Sequence, residues 1–303
     1  MEIGTTDEGA RVVEVLEGSP AERAGVRKGE ALIRIDDHRL SGRPLAEIIK
    51  LLRGTPSSVV NLELRDSGTG QTRAIVIKRE IILLRPVHIR PIAPDIVYIR
   101  VTQFTQAMPK QVSDGLADAM KDDPSPKGII LDLRSSSGGL LDASIALAAA
   151  FLPENALVAD LKGQSEESTR RFQASAQSYR DSARTDPLAS LPAEARTVRM
   201  AVLVGEKTAS GAEAVAAALQ DHKRAAVIGT RTFGKGTVES VYPLQKGGAI
   251  KLTTASLYRP NGSELEFHGI TPDVTVSAAS DTPARTTSEP DPALAQAIRL
   301  VRR

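Results

Sequence analysis

The chain has 303 residues, with 39 Lys and Arg against 37 Asp and Glu, and neither Cys nor Trp. Nearly balanced charge supplies no basic field for nucleic acid. The absence of cysteine excludes disulfides, thiolate metal ligands and a cysteine nucleophile. No run of 18 apolar residues predicts a membrane span, and Met1-Glu2-Ile3-Gly4 opens without the charged and apolar regions of a signal peptide.

Residues 1–80 read as a small β-rich module. Val12, Val13 and Val15 belong to a strand-like run, and Ser19-Pro20-Ala21-Glu22 is a capping box with proline at the first helical position. Ala31 to Ile35 reads as a strand. Leu45, Ile48, Ile49 and Leu52 fall at i, i+3, i+4 and i+7, one apolar helix face closed by Gly54. Two strands, around 59–64 and 74–77, are joined by a Ser67–Gly70 turn. Residues 81–96, with Pro86, Pro91 and Pro94, read as a linker.

A larger αβ domain is predicted over 97–276. Val97 to Val101 is a strand, Val112, Leu116 and Met120 suit an amphipathic helix, and 128–133 is a buried strand. Gly138-Gly139 then leads into an alanine-rich helix stopped at Pro153. Residues 162–196 are polar and read as a partly helical surface insertion or lid. Strand 200–204, helix 210–220, strand 225–229 and two β runs, 238–244 and 250–258, follow. Residues 277–303 read as a polar tail ending in a short helix with Leu294, Ile298 and Val301.

His38, His88, His222 and His268 lack metal spacing and read as surface or loop residues, so no metal or cofactor is expected. The Gly234-Lys235-Gly236-Thr237 run lacks the upstream glycine of a phosphate loop, since Thr230 stands there. A Gly-x-Ser-x-Gly elbow is absent as well.

Two segments are more informative. Thr208-Ala209-Ser210-Gly211 follows a buried strand and opens a helix, where free N–H groups favour developing negative charge. A plain N-cap serine fits the same position. Lys235 lies between Gly234 and Gly236 at a strand edge. Buried there, it would become a neutral amine and a base. Solvated, it would be an ordinary turn lysine.

At these segments the sequence resembles the C-terminal processing (tail-specific) peptidase family. Matching runs stand in family order: Glu17-Gly18-Ser19-Pro20-Ala21 and 24–30 in a PDZ-like module, Asp132-Leu133-Arg134 with Gly138-Gly139, 218–222, 229–236, 251–255 and 268–273. The resemblance implies an α/β (α+β) fold: a crotonase-like αβ peptidase core preceded by a small PDZ-like domain. It implies a serine endopeptidase with Ser210 as nucleophile and Lys235 as general base. It also implies an oxyanion hole from Gly138, Gly139 and Gly211, and peptide binding at Ile3, Gly4, Leu45, Ile48, Ile49 and Leu52. Its partners would be protein or peptide C-termini, and its place periplasmic or otherwise extracytoplasmic.

The sequence departs from the family pattern in three places. Glu239 stands where the family has Gln, and an ionised carboxylate there would favour the lysine ammonium over the free amine. Ser135-Ser136-Ser137 replaces the usual run, and Ile3 and Gly4 are expected to be the remnant of the PDZ-like carboxylate loop. The main rival is a catalytically silent, PDZ-bearing interaction protein on a peptidase fold. A crotonase-like acyl-CoA enzyme is the other.

Overall fold

The computed structural model describes the chain apart from residues 7–8, 16–17, 83–85, 122–125, 165, 181–184, 245–246, 277–290 and 303. It divides into two units, Met1–Leu84 and Arg85–Arg303.

The first unit runs β1 (Glu2–Thr6), β2 (Gly9–Glu14), α1 (Pro20–Arg23), β3 (Ala31–Ile35), β4 (His38–Arg39), α2 (Leu45–Leu52), β5 (Val59–Arg65) and β6 (Thr72–Lys78). Its antiparallel sheet has the order β1-β2-β3-β5-β6, with β4 paired to β3. Residues of period two fill the core: Val60, Leu62 and Leu64 point inward from β5. Ser19 Oγ accepts the Glu22 N–H at 3.2 Å and starts α1, as its capping box predicts; Glu17 of the same motif lies outside the described residues. Buried Glu30 fixes the loop after α1. It accepts two hydrogen bonds from Arg73, each 3.0 Å, and one from the Arg27 N–H at 2.8 Å.

The second unit begins with β7 (Val87–Ala93), β8 (Ile96–Val101), α3 (Met108–Ala119), β9 (Gly128–Asp132) and α4 (Leu141–Phe151). Next come β10 (Leu157–Gly163), β11 (Arg170–Gln173), α5 (Ala176–Tyr179), β12 (Arg199–Val204) and α6 (Gly211–Asp221). The chain closes with β13 (Ala226–Gly229), β14 (Thr237–Pro243), β15 (Ala249–Tyr258), β16 (Val274–Thr275) and α7 (Pro292–Arg302).

Its central sheet has the order β16-β13-β12-β9-β8-β7, parallel from β8 to β16 and antiparallel only at β7. Both faces are covered, so its strands read as continuous apolar runs. Ile129, Leu131 and Leu133 enter the core shared with α3, α4 and α6, while Ile130 joins Ala293, Ala297 and Val301 of α7 on the other face. A second, antiparallel sheet has the order β11-β10-β15-β14.

Three expectations change. Residues 87–93, read from their prolines as part of a linker, form β7. Pro91 is tolerated because β7 is an edge strand, where a missing N–H need not break the ladder. The 162–196 insertion carries β11 as well as short helical turns, and Phe172 of that strand is buried. The C-terminal helix is core: Ala293, Ala297 and Val301 are buried, and a Cβ on Gly128 would meet Val301 Cβ at 2.5 Å.

Helix α7 is also held by charge. Arg134, 1% exposed, bonds Asp132 Oδ2 at 2.7 Å and Asp291 Oδ2 at 2.8 Å. Asp291 in turn accepts the Leu294 N–H at 3.0 Å and caps α7. Tyr98 donates to Asp132 at 2.6 Å, and burial, then that carboxylate, push its phenol pKa upward. Replacing Arg134 would leave two buried carboxylates without their cation. Arg134→Met is therefore expected to destabilise the second unit by about 3–5 kcal/mol, read from urea unfolding. A loss below about 1 kcal/mol would place the network in the class of solvated surface pairs.

Candidate active site

Three loops leave the C-terminal ends of the neighbouring parallel strands β9, β12 and β13, the edge where open α/β sheets place their ligands. The first holds Ser136–Gly139, the second Thr208–Ser210, the third Thr232–Gly236. Backbone bonds stitch them together: Ala209 N–H donates to Ser136 O at 3.0 Å, and Phe233 N–H to Thr208 O at 3.0 Å. The buried Thr208 hydroxyl donates to Leu133 O at 2.9 Å.

Ser210 stands between β12 and α6 with φ 56° and ψ −123°. A non-glycine residue there carries about 1–3 kcal/mol of strain. The turn is thus a strained strand-to-helix elbow, although the glycine pattern that signals one in sequence is missing. Its side chain is partly exposed at the start of α6.

The glycine turn packs directly against it. Gly138 has φ 87° and Gly139 φ 151°. A Cβ on Gly138 would meet Ala209 O at 2.7 Å, Gly211 N at 2.9 Å and Ser210 Cβ at 3.1 Å. A Cβ on Gly139 would meet Phe104 O, and one on Gly211 would meet Ser144 Oγ. Only glycine permits these approaches. Gly138 O accepts the Phe104 N–H, and Phe104 O the Leu140 N–H, which fixes the direction of the turn. Among the described residues, no protein acceptor takes the N–H of Gly138, Gly139 or Gly211.

The sequence reading did not single out Glu213, yet it joins two of the loops. Its carboxylate is completely buried. Oε2 accepts the N–H of Ser210 at 2.9 Å and of Lys235 at 2.9 Å; Oε1 accepts the N–H of Gly234 at 2.8 Å and the Thr232 hydroxyl. Ser210 and Lys235 therefore hold their backbone nitrogens on one oxygen atom. The signal was present in Ser210-Gly211-Ala212-Glu213, which fits the capping-box pattern.

Lys235 is brought beside Ser210 along the backbone, but its amine turns elsewhere. The side chain is 40% exposed and Nζ lies 3.4 Å from Glu239 Oε2. Among the described residues no hydrogen bond joins Lys235 Nζ to Ser210 Oγ. Glu239 also pairs with Lys251 at 2.6 Å. That hydrogen bond first, then the charge of Lys235, hold its carboxyl below the usual range.

The His222 ring meets Leu157 O and the His268 ring meets Glu266 O. No cluster of metal-ligating side chains occurs among the described residues.

In the first unit, Ile3 and Gly4 lie on the edge strand β1, which touches α2. Ile48 cannot meet a peptide as expected, because it is 1% exposed and packs into the core. Leu45, Ile49 and Leu52 remain partly exposed.

Comparison with known proteins decides the class. Residues 95–276 match peptidase family S41, and residues 11–66 match the PDZ domain. The chain belongs to peptidase family S41. A carboxy-terminal-processing protease of Bartonella bacilliformis is 36% identical over 88% of this chain and 58% of its own length. A carboxyl-terminal-processing protease of Synechocystis sp. is 32% identical over 94% and 63%. The chain thus spans about three-fifths of the length of these S41 relatives. The solved photosystem II D1 C-terminal processing protease superposes with a TM-score of 0.58 at 25% identity, over 91% of this chain and 71% of that one. A putative S41 protease from Bacteroides fragilis shares the fold, with a TM-score of 0.65 at 19% identity over 98% and 80%.

The glycine turn gives a direct test. Gly138→Ala would force both a disfavoured φ and a clash with Ala209 O. It is expected to cost roughly 1–3 kcal/mol and to slow fluorophosphonate labelling of Ser210. A variant with wild-type melting and labelling would show that the turn yields without effect.

Proposed function

We propose that the protein is a serine endopeptidase that cleaves protein substrates near their C-termini, with Ser210 as nucleophile and Lys235 as general base. The observation that carries this reading is the shared oxygen of Glu213. It holds the Ser210 and Lys235 segments within two hydrogen-bond lengths of each other, beside a turn with open N–H donors. A silent interaction protein has no use for a strained serine at that point.

In the proposed reaction Ser210 Oγ attacks the scissile carbonyl carbon while its proton passes to Lys235 Nζ. The oxyanion rests on the N–H of Gly211 and of the Gly138-Gly139 turn, donors worth about 3–4 kcal/mol each in such sites. Lys235 returns the proton to the departing amine, and the C–N bond breaks. Water then attacks the acyl-enzyme, giving its proton to Lys235, which passes it to Ser210 Oγ as the acyl C–O bond breaks. For this the amine must leave Glu239, lose its proton and turn toward Ser210 Oγ.

The PDZ domain would take the substrate tail by strand addition at β1, beside α2, or would gate the peptidase. Following the family, the work is placed outside the cytoplasm. No described helix is long and apolar enough to cross a membrane.

Ser210→Ala and Lys235→Ala are each expected to abolish cleavage of an unfolded protein, and Ser210→Ala to abolish fluorophosphonate labelling. Cleavage that persists in Ser210→Ala would refute the reading.

Glu239→Gln removes the carboxylate that engages Lys235 Nζ at 3.4 Å, so it is expected to keep or raise kcat/KM near neutral pH. A complete loss of activity would show that the carboxylate itself is needed for cleavage.

A further inference from the structure

We infer that Glu213 is the positioning residue that sets the register between nucleophile and base, acting through the backbone of both loops and not through the substrate. The inference rests on the Ser210–Lys235 reading above.

The geometry leaves the carboxylate no other partner of comparable number. Three backbone N–H groups and one hydroxyl converge on it, two on each oxygen. All four donors belong to the elbow or to the loop that carries Lys235. The Thr232 hydroxyl passes the constraint on, since it also accepts the Ile270 N–H at 2.7 Å. Phe267 N–H donates to Gly234 O at 2.9 Å on the far side of that loop.

Among the described residues, the direct backbone bond between the two loops that lies nearest Ser210 and Lys235 is Phe233 N–H to Thr208 O, two residues before each. Beyond it, the hydrogen bonds found between them run through Glu213. Its place on the first turn of α6, three residues after Ser210, makes it a rigid arm: α6 is buried along its length. A buried anion is stable only with its donors in place, so the carboxylate draws both loops to one distance. A flexible turn lysine is thereby anchored at its backbone while its amine remains mobile enough to exchange Glu239 for Ser210.

Two variants test this in the full chain. Glu213→Gln keeps the size but, in either orientation, turns an amide N–H toward at least one backbone N–H. Glu213→Asp keeps the charge but is one methylene too short for both loops. Each is expected to lower kcat on a quenched fluorescent peptide by about 100-fold, with KM nearly unchanged. Fluorophosphonate labelling of Ser210 should slow in parallel. Amide hydrogen exchange should rise at residues 233–236. Ile130→Ala, buried beneath α7, serves as a destabilised control remote from the bridge.

Faster exchange together with the loss of kcat in both variants supports the inference. Unchanged exchange at 233–236 overturns it. So does a loss of kcat that Ile130→Ala reproduces at equal melting temperature. Ser210→Ala separates the premises: cleavage that survives it sinks the catalytic reading, while normal turnover in the Glu213 variants sinks only the register role.

Discussion

A buried carboxylate is among the most demanding groups a fold can contain, because its charge must be met by donors before the interior can close over it. Glu213 meets that demand with groups brought from 19 to 22 residues further along the chain, together with one from Ser210. The N-terminus of α6 therefore cannot reach its final form until the Thr232–Lys235 loop is docked. Local helix start and long-range loop closure share one carboxylate, and the Ser210 and Lys235 segments meet there.

The other side of the site is fixed by sterics instead of charge. The glycine turn after β9 lies so close to Ser210 that any side chain on Gly138 would displace Ala209 or Gly211. The same strand ends in Asp132-Leu133-Arg134. Its ion pairs and Tyr98 bond are buried beneath α7, and its Leu133 carbonyl receives the Thr208 hydroxyl. The segment thus braces the strand from which the glycine turn departs. It ties the C-terminal helix to that strand. Arg134 and Asp132 are both 1% exposed, so their charges are met within the interior.

Much of this was legible before any coordinates. The continuous apolar run at 128–133 announced a buried strand, and the Gly138-Gly139 pair announced a backbone turn. Other features were hidden for identifiable reasons. Pro91 made β7 look like a linker, because sequence cannot show that a strand will stand at an edge. Ala293 and Ala297 are too small to advertise a core face, and Leu294 and Ile298 drew attention to positions that are only partly buried. Ile48 fitted a binding stripe, yet one helix face serves both groove and core, and periodicity does not separate them. Glu213 was concealed by its type: an acidic residue is presumed solvated, and only its distant donors reveal otherwise.

The direction of Lys235 is where sequence and structure were bound to differ most. Its backbone is held by a buried anion with four donors, while its amine follows whichever exposed charge is nearest. Between those two constraints lies a difference in stiffness. Buried, charge-assisted bonds to main-chain N–H groups fix position, whereas an exposed ion pair is worth little and exchanges readily. Lys251 sharpens the contrast by holding the same Glu239 oxygen at 2.6 Å, against 3.4 Å for Lys235. Lys235 is therefore held firmly at its backbone and only loosely at its amine. The contact with Glu239, which looks strong when read from sequence alone, is a weak one that Lys251 shares.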